Sequence, residues 1–151
     1  EEKEFIERYY KIKYKFFDSG KLLIVKFIGT ITKHDLISFF RFILKKGYLS
    51  SLKEILADYR DAIKIYEVAD LDEIAKERKK VTEGLDEINT IFLVGNPEDT
   101  AISFLFAEYY KGYSHAKICS TVAASSNYLS LKVTSHNLKN MLANLKLEYA
   151  E

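Results

Sequence analysis

Apolar and charged residues alternate where the chain first takes on order. Tyr10, Ile12, Tyr14 and Phe16 are interleaved with Lys11, Lys13 and Lys15, and that period of two predicts a strand with one wet face. Asp18-Ser19-Gly20-Lys21 has turn chemistry, and residues 22–28 are largely apolar. Together they predict a β-hairpin, with Gly20 supplying the positive φ that such a connection often needs. The period then changes. Leu36, Phe39, Phe40, Ile43 and Leu44 recur at helical spacing behind Thr32, and Asp35 stands three residues after that threonine. This is a variant capping box with its acid at the positive end of the helix dipole. The helix is expected to run to about Lys46, with Gly47 ending it.

Further along, residues 55–59 read as a short buried strand that ends in the charged cluster Asp58-Tyr59-Arg60-Asp61. Asp70 is expected to cap a second helix, with Glu73 completing the pattern. Its run "DEIAKERKK" predicts a solvated outer helix held by pairs among Glu73, Lys76, Glu77 and Lys80, with Gly84 at its end. Residues 88–94 form the next strand. Asn96 caps a third helix, with Pro97 at its first position, Glu98 and Asp99 in its first turn and Gly112 near its end. Residues 117–122 read as a last strand. The stretch "SSNYLSLKV" fits either a short helix or a strand. After Ser135, the spacing of Leu138, Met141, Leu142 and Leu145 predicts a C-terminal amphipathic helix. The order β-β-α-β-α-β-α-β with a helical tail implies an α/β sandwich: an N-terminal hairpin, then βαβ units in a mixed, mainly parallel sheet flanked by helices. Residues 1–151 are expected to form one domain, with a core at about 10–131 and the extra helix at about 135–149.

Composition narrows the function classes. The chain has 151 residues, 48% of them hydrophobic and 30% charged, and 23 basic residues nearly balance 22 acidic ones. It is therefore expected to be globular, with no basic excess to favour nucleic acid or an anionic membrane. No apolar run approaches the roughly 18 residues of a membrane span. The start, "EEKEFIERYY", is acidic and polar, unlike a signal peptide. It lacks an initiator methionine, which leaves a longer native N-terminus open. The single Cys119 has no internal disulfide partner and points to a reducing, cytoplasmic setting.

Candidate chemistry is sparse. In open α/β sheets ligands sit at the carboxyl ends of the strands, which here would gather Asp58, Tyr59, Arg60 and Asp61 with Gly95, Asn96, Ser120 and Thr121. Two carboxylates beside an arginine are capable of acid–base work, but no nucleophile with an adjacent base accompanies them. The favoured reading is structure or partner contact, with Asp58, Tyr59, Arg60, Asp61 and Asn96 as the partner surface. Phosphate binding is disfavoured, because Pro97, Glu98 and Asp99 occupy one helix start and Asp70, Asp72 and Glu73 the other. His34, His115 and His136 are too dispersed to form a local metal pair, and Cys119 reads as an inert buried thiol. No cofactor is expected. The aromatic surplus is the most informative feature: Phe39, Phe40 and Phe42 on the first helix, and Phe104, Phe106, Tyr109, Tyr110 and Tyr113 on or near the third. Apolar surface on more than one helix face needs a cover. The tail helix together with a homodimer contact is the favoured one and an apolar, lipid-like ligand the alternative, with Phe39, Phe40, Phe42, Phe106, Tyr109 and Tyr113 as the surface.

The succession "LLIVKFIGTITKHDLISFFRFIL", "EILADYRDA", "VADLDEIAK" and "IFLVGNPEDTAISFLFAEYY" resembles the SpoIIAA-like, or STAS-like, bacterial proteins over about residues 10–131. The resemblance implies the anti-sigma-factor-antagonist fold, akin to lipid-carrying Sec14 domains, and a cytoplasmic, non-enzymatic regulator acting through a protein partner. In such antagonists a serine after the third strand is phosphorylated and switches partner binding through its charge. From Asp58 through Asp72 this chain has no serine or threonine, only Tyr59 and Tyr66, and the Asp-Ser-Gly at 18–20 belongs to the hairpin turn. The phosphoserine role therefore carries over to no residue here.

Overall fold

The structure, a computed structural model, describes residues 11–47, 49–83, 88–110 and 114–145, and of these the side chains of 46, 105–107, 109, 110 and 114 lie outside the description. Strands β1 (Ile12–Phe17) and β2 (Leu22–Ile31) form the expected antiparallel hairpin, with Ile12 opposite Phe27 and Phe17 opposite Leu22. Ser19 and Gly20 take positive φ values of 55° and 85° in its turn, and the Lys21 N–H donates to the Asp18 carbonyl at 3.1 Å.

Helix α1 (Lys33–Lys46) is capped as its sequence predicts. The Thr32 hydroxyl accepts from the Asp35 N–H at 3.0 Å, and the Asp35 carboxylate accepts from the Thr32 N–H at 2.9 Å. Gly47 closes the helix at φ 73°, a conformation that favours glycine.

Strand β3 (Glu54–Lys64) corrects the sequence reading. It does not stop at Tyr59 but runs through the charged cluster to Lys64. The charges that looked like a strand end lie inside the strand, with Asp58 buried and Arg60 and Asp61 exposed. A 3₁₀ turn (Val68–Asp70) then leads into α2 (Leu71–Thr82). The Asp70 carboxylate accepts from the Glu67 N–H at 2.9 Å, so it caps one turn earlier than expected, and Glu73 instead pairs with Lys33 at 3.0 Å. Nor is α2 a wholly solvated helix. It packs against both α1 and α3, and Leu71, Ile74, Ala75, Glu77, Arg78 and Val81 are buried. Its charges are answered across elements: Arg41 holds Glu77 through bonds of 3.0 and 3.4 Å, and Arg78 donates to the Thr90 hydroxyl at 2.7 Å. Of the pairs expected along the helix, Lys80–Glu77 forms at 3.3 Å, whereas Lys76 turns to Asp72 at 2.9 Å. The expected stops at Gly84 and Gly112 lie outside the described residues.

Strand β4 (Ile88–Leu93), helix α3 (Pro97–Tyr110) and strand β5 (Ser114–Cys119) complete the repeat. The last strand lies earlier than predicted, because Thr121 accepts the Ala124 N–H at 3.0 Å and opens α4 (Val122–Tyr128). That resolves the first part of "SSNYLSLKV" as helix. Helix α5 (Ser135–Ala143) follows, capped by Thr134 through the Asn137 N–H at 3.1 Å.

The sheet order is β1-β2-β3-β4-β5, parallel except for the first pair. Each crossover advances one strand in the same direction, and crossovers of one hand then put their helices on one face. Helices α1, α2 and α3 accordingly share the first face, packing over Leu23, Val25, Phe27, Ala57, Tyr59 and Phe92. The opposite face needs another cover. Helices α4 and α5 provide it, burying Val122, Leu138 and Leu142 against Leu22, Ile24, Leu56, Ile91 and Leu93. Each such leucine contributes about 1.5–3 kcal/mol. The tail helix thus covers the second face, and not the aromatic side of α1 as expected from sequence.

Candidate functional site

The charged cluster is built on an irregularity between β2 and β3. Lys26 pairs with Asp58 and Ile28 with Asp61, so Tyr59 and Arg60 together oppose Phe27. This is a β-bulge, which bends a strand and re-aims its side chains. The β3–β4 ladder ends at the same point, with Asp58 opposite Leu93. Among the described residues, β3 continues beyond Asp58 with β2 as its strand neighbour.

The bulge sends successive residues to different environments. Asp58 is fully buried, and its carboxylate takes two guanidinium bonds from Arg60, at 3.0 and 2.9 Å, with a third from the Arg60 backbone N–H at 3.0 Å. The hydrogen bond to Asp58, opposed by burial, raises the Arg60 pKa above its ordinary value. Tyr59 turns into the first-face core and stacks on Phe27 with centroids 4.4 Å apart and planes at 8°. Asp61 is exposed and pairs with Lys26 at 3.2 Å. Asn96 is occupied at the start of α3, its amide oxygen accepting from the Asp99 N–H at 2.8 Å and its amide nitrogen donating to the Asp99 carboxylate at 2.9 Å. Gly95 brings this connection against Arg60, where an added Cβ would lie 3.5 Å from the Arg60 carbonyl oxygen. The sequence-predicted residues therefore gather in one region but do different jobs. Asp58 and Arg60 satisfy each other, Tyr59 is core, Asn96 is a cap, and Arg60 and Asp61 face solvent.

Three neighbours went unnoticed in the sequence. The Lys64 side chain is 3% exposed, with its amine 4.2 Å above the Tyr59 ring and 3.8 Å from Asp99. Burial, opposed by Asp99, lowers its pKa to about 8. On the other side of the ribbon, Ile63 is 64% and Ile65 56% exposed. Continued alternation through "DAIKI" was the available signal. Ending the strand at Tyr59 hid it.

The aromatic residues of α1 are largely absorbed by packing. Phe39 is buried, and Phe40 and Phe42 pack on the same core; Tyr14 meets Phe39 at 5.7 Å and Phe42 at 6.2 Å. Helix α1 packs on both the sheet and α2, so it needs apolar residues on more than one side. Phe106 and Tyr109 have side chains outside the description, and Tyr113 lies outside the described residues altogether. A cavity of about 40 Å³ lies between α1, α2 and the sheet, lined by Phe39, Phe40, Ile43, Phe92, Arg78 and Thr90 among others. That is room for a molecule of a few atoms at most.

His34, His115 and His136 are each exposed on separate elements. Among the described residues no group of three His, Cys, Asp or Glu side chains is placed to hold a metal ion. Burial raises the Cys119 pKa, away from the reactive thiolate. No described helix is long and apolar enough to cross a membrane.

No protein-family model matches the chain, and no curated protein does. Among solved structures, the chain is similar to the anti-sigma factor antagonist SpoIIAA in its unphosphorylated form. The alignment has 9% identity and a TM-score of 0.44 and covers 88% of this chain and 98% of that one. Likeness at this level assigns neither a partner nor a residue role.

Proposed function

We propose that the chain is a non-enzymatic protein-interaction and regulatory module of STAS-like type that works in the cytoplasm, self-associates as a homodimer and lacks a phosphoserine switch. One observation carries this reading. Where the cover of α4 and α5 ends, the β2–β3 ribbon continues and presents Ile63 and Ile65 to solvent beside Asp61. Exposed β-branched side chains in a row, rimmed by charge, favour a partner contact. The partner surface of this proposal keeps Arg60 and Asp61. It leaves Asp58, Tyr59 and Asn96 as the frame that holds them.

The test is affinity capture of a partner, its identification by mass spectrometry, and titration of the purified partner against the full chain. Ile63→Ser combined with Ile65→Ser, which removes the exposed apolar pair, is expected to abolish binding while circular dichroism and melting stay unchanged. Undiminished binding by a folded variant of this kind overturns the assignment. Sedimentation equilibrium of the free chain tests the homodimer separately.

The apolar cavity favours a second reading, carriage of a small apolar molecule. At about 40 Å³ it accepts a lipid-sized guest only if α1 moves off the sheet. Native mass spectrometry of the purified chain distinguishes a bound guest from an empty protein.

A further inference from the structure

The second face of the ribbon can be traced residue by residue. Leu22 and Ile24 lie under α4 and α5, so the alternating positions Lys26, Ile28 and Thr30 continue that face beyond the helices. On β3, Asp61 reaches Lys26 at 3.2 Å and therefore shares it, and Ile63 and Ile65 follow at the same period. Lys13 stands directly opposite Lys26 across the hairpin. Like charges facing each other across two strands are unfavourable, and among the described residues the carboxylate paired to Lys26 is Asp61. Ile28 is half-buried, whereas Ile63 and Ile65 are 64% and 56% exposed. The result is an apolar strip bordered by an incompletely neutralised pair of lysines.

We propose that this face docks an acidic amphipathic peptide segment of a partner protein, with apolar side chains on Ile28, Ile63 and Ile65 and carboxylates on Lys13 and Lys26. The inference rests on the interaction-module reading and specifies the chemistry of the partner. An incoming carboxylate relieves the Lys13–Lys26 repulsion, and its apolar neighbours cover the isoleucines. Charge complementarity thus selects acidic over basic segments, with an affinity that falls as salt rises.

The probe is a fluorescent peptide alternating glutamate and leucine, titrated into the full chain, with a lysine–leucine peptide as control. The acidic peptide is expected to bind at least about tenfold more tightly than the basic one. Lys13→Glu, and separately Ile63→Ser with Ile65→Ser, are each expected to weaken it by about tenfold or more, with unchanged melting showing that the variants fold. Equal binding of the two peptides, or acidic-peptide binding indifferent to either variant, overturns the proposal. So does binding to anionic lipid vesicles without binding to the peptide. A concentration-dependent dimer that is lost in the isoleucine variant, again without peptide binding, assigns the face to a second copy and also overturns it. If a captured partner needs the isoleucines but ignores Lys13→Glu and salt, the acidic chemistry fails and the interaction-module reading survives. If partner binding ignores all of these changes, both fail.

Discussion

Arg60 folds back onto Asp58, two residues earlier on the same strand, and among the described residues supplies the three hydrogen bonds that this buried carboxylate accepts, at 2.9 to 3.0 Å. The two ends of the pair differ. The arginine side chain keeps 32% of its exposure and the aspartate none, so removing one partner is not equivalent to removing the other. Arg60→Ala strands a buried charge and is expected to cost about 3–5 kcal/mol. Asp58→Ala leaves a guanidinium that can turn to water, and is expected to cost less. The double variant should recover part of the Arg60→Ala loss. Urea denaturation of the three variants checks the order, and equal single-variant losses would refute the asymmetry.

Glu54 opens β3 with a buried carboxylate that accepts the Ser130 N–H at 2.9 and 3.1 Å. That contact ties the segment between α4 and α5 to the sheet. Glu54→Ala leaves the amide without its acceptor and is expected to destabilise by about 1–3 kcal/mol. Hydrogen exchange at Ser130 should accelerate beyond the change in global stability. Unaltered protection there would show that the tether is dispensable.

The fold was legible where a local rule coincided with the tertiary answer. The hairpin turn at Ser19 and Gly20, the Thr32–Asp35 box and the Asn96 cap are local hydrogen-bonding solutions written in neighbouring residues. The misread features depended on distant partners. Glu77 and Arg78 looked like surface charges because Arg41 and Thr90, which answer them, lie on other elements. Asp58 looked like a strand end, although its counterion sits on the same strand and lets the strand continue. The side of the sheet taken by α5 follows from the strand order and crossover direction, which periodicity in the tail does not encode.

Ser103 is 1% exposed on α3, and its hydroxyl has no hydrogen-bond partner among the described residues. A buried unsatisfied hydroxyl is unfavourable, and its removal leaves little empty volume. Ser103→Ala is therefore expected to raise stability by about 1 kcal/mol. Thermal melting checks the direction, and a lowered midpoint would mean that the hydroxyl has a partner after all.

Lys64 makes a pH-dependent prediction with an unusual sign. Burial, opposed by Asp99, lowers its pKa from the ordinary 10.5 to about 8 in the folded chain. Below pH 8 both folded and unfolded chains carry the proton, and the full penalty of burying the charged amine is present. Between about 8 and 10.5 the unfolded chain holds a proton that the folded chain has lost, so this group makes stability rise with pH. The span amounts to about 3 kcal/mol at most. Lys64→Met keeps the length of the side chain and removes the titration; Asp99 retains the Asn96 amide at 2.9 Å. Subtracting the variant's stability–pH curve from that of the parent cancels the tyrosines and Cys119, which titrate in both. The difference is expected to favour the variant at pH 7, less the lost contact with the Tyr59 ring, and to shift toward the parent between pH 8 and 10.5. A difference curve flat across that window would show that Lys64 titrates as an ordinary surface lysine.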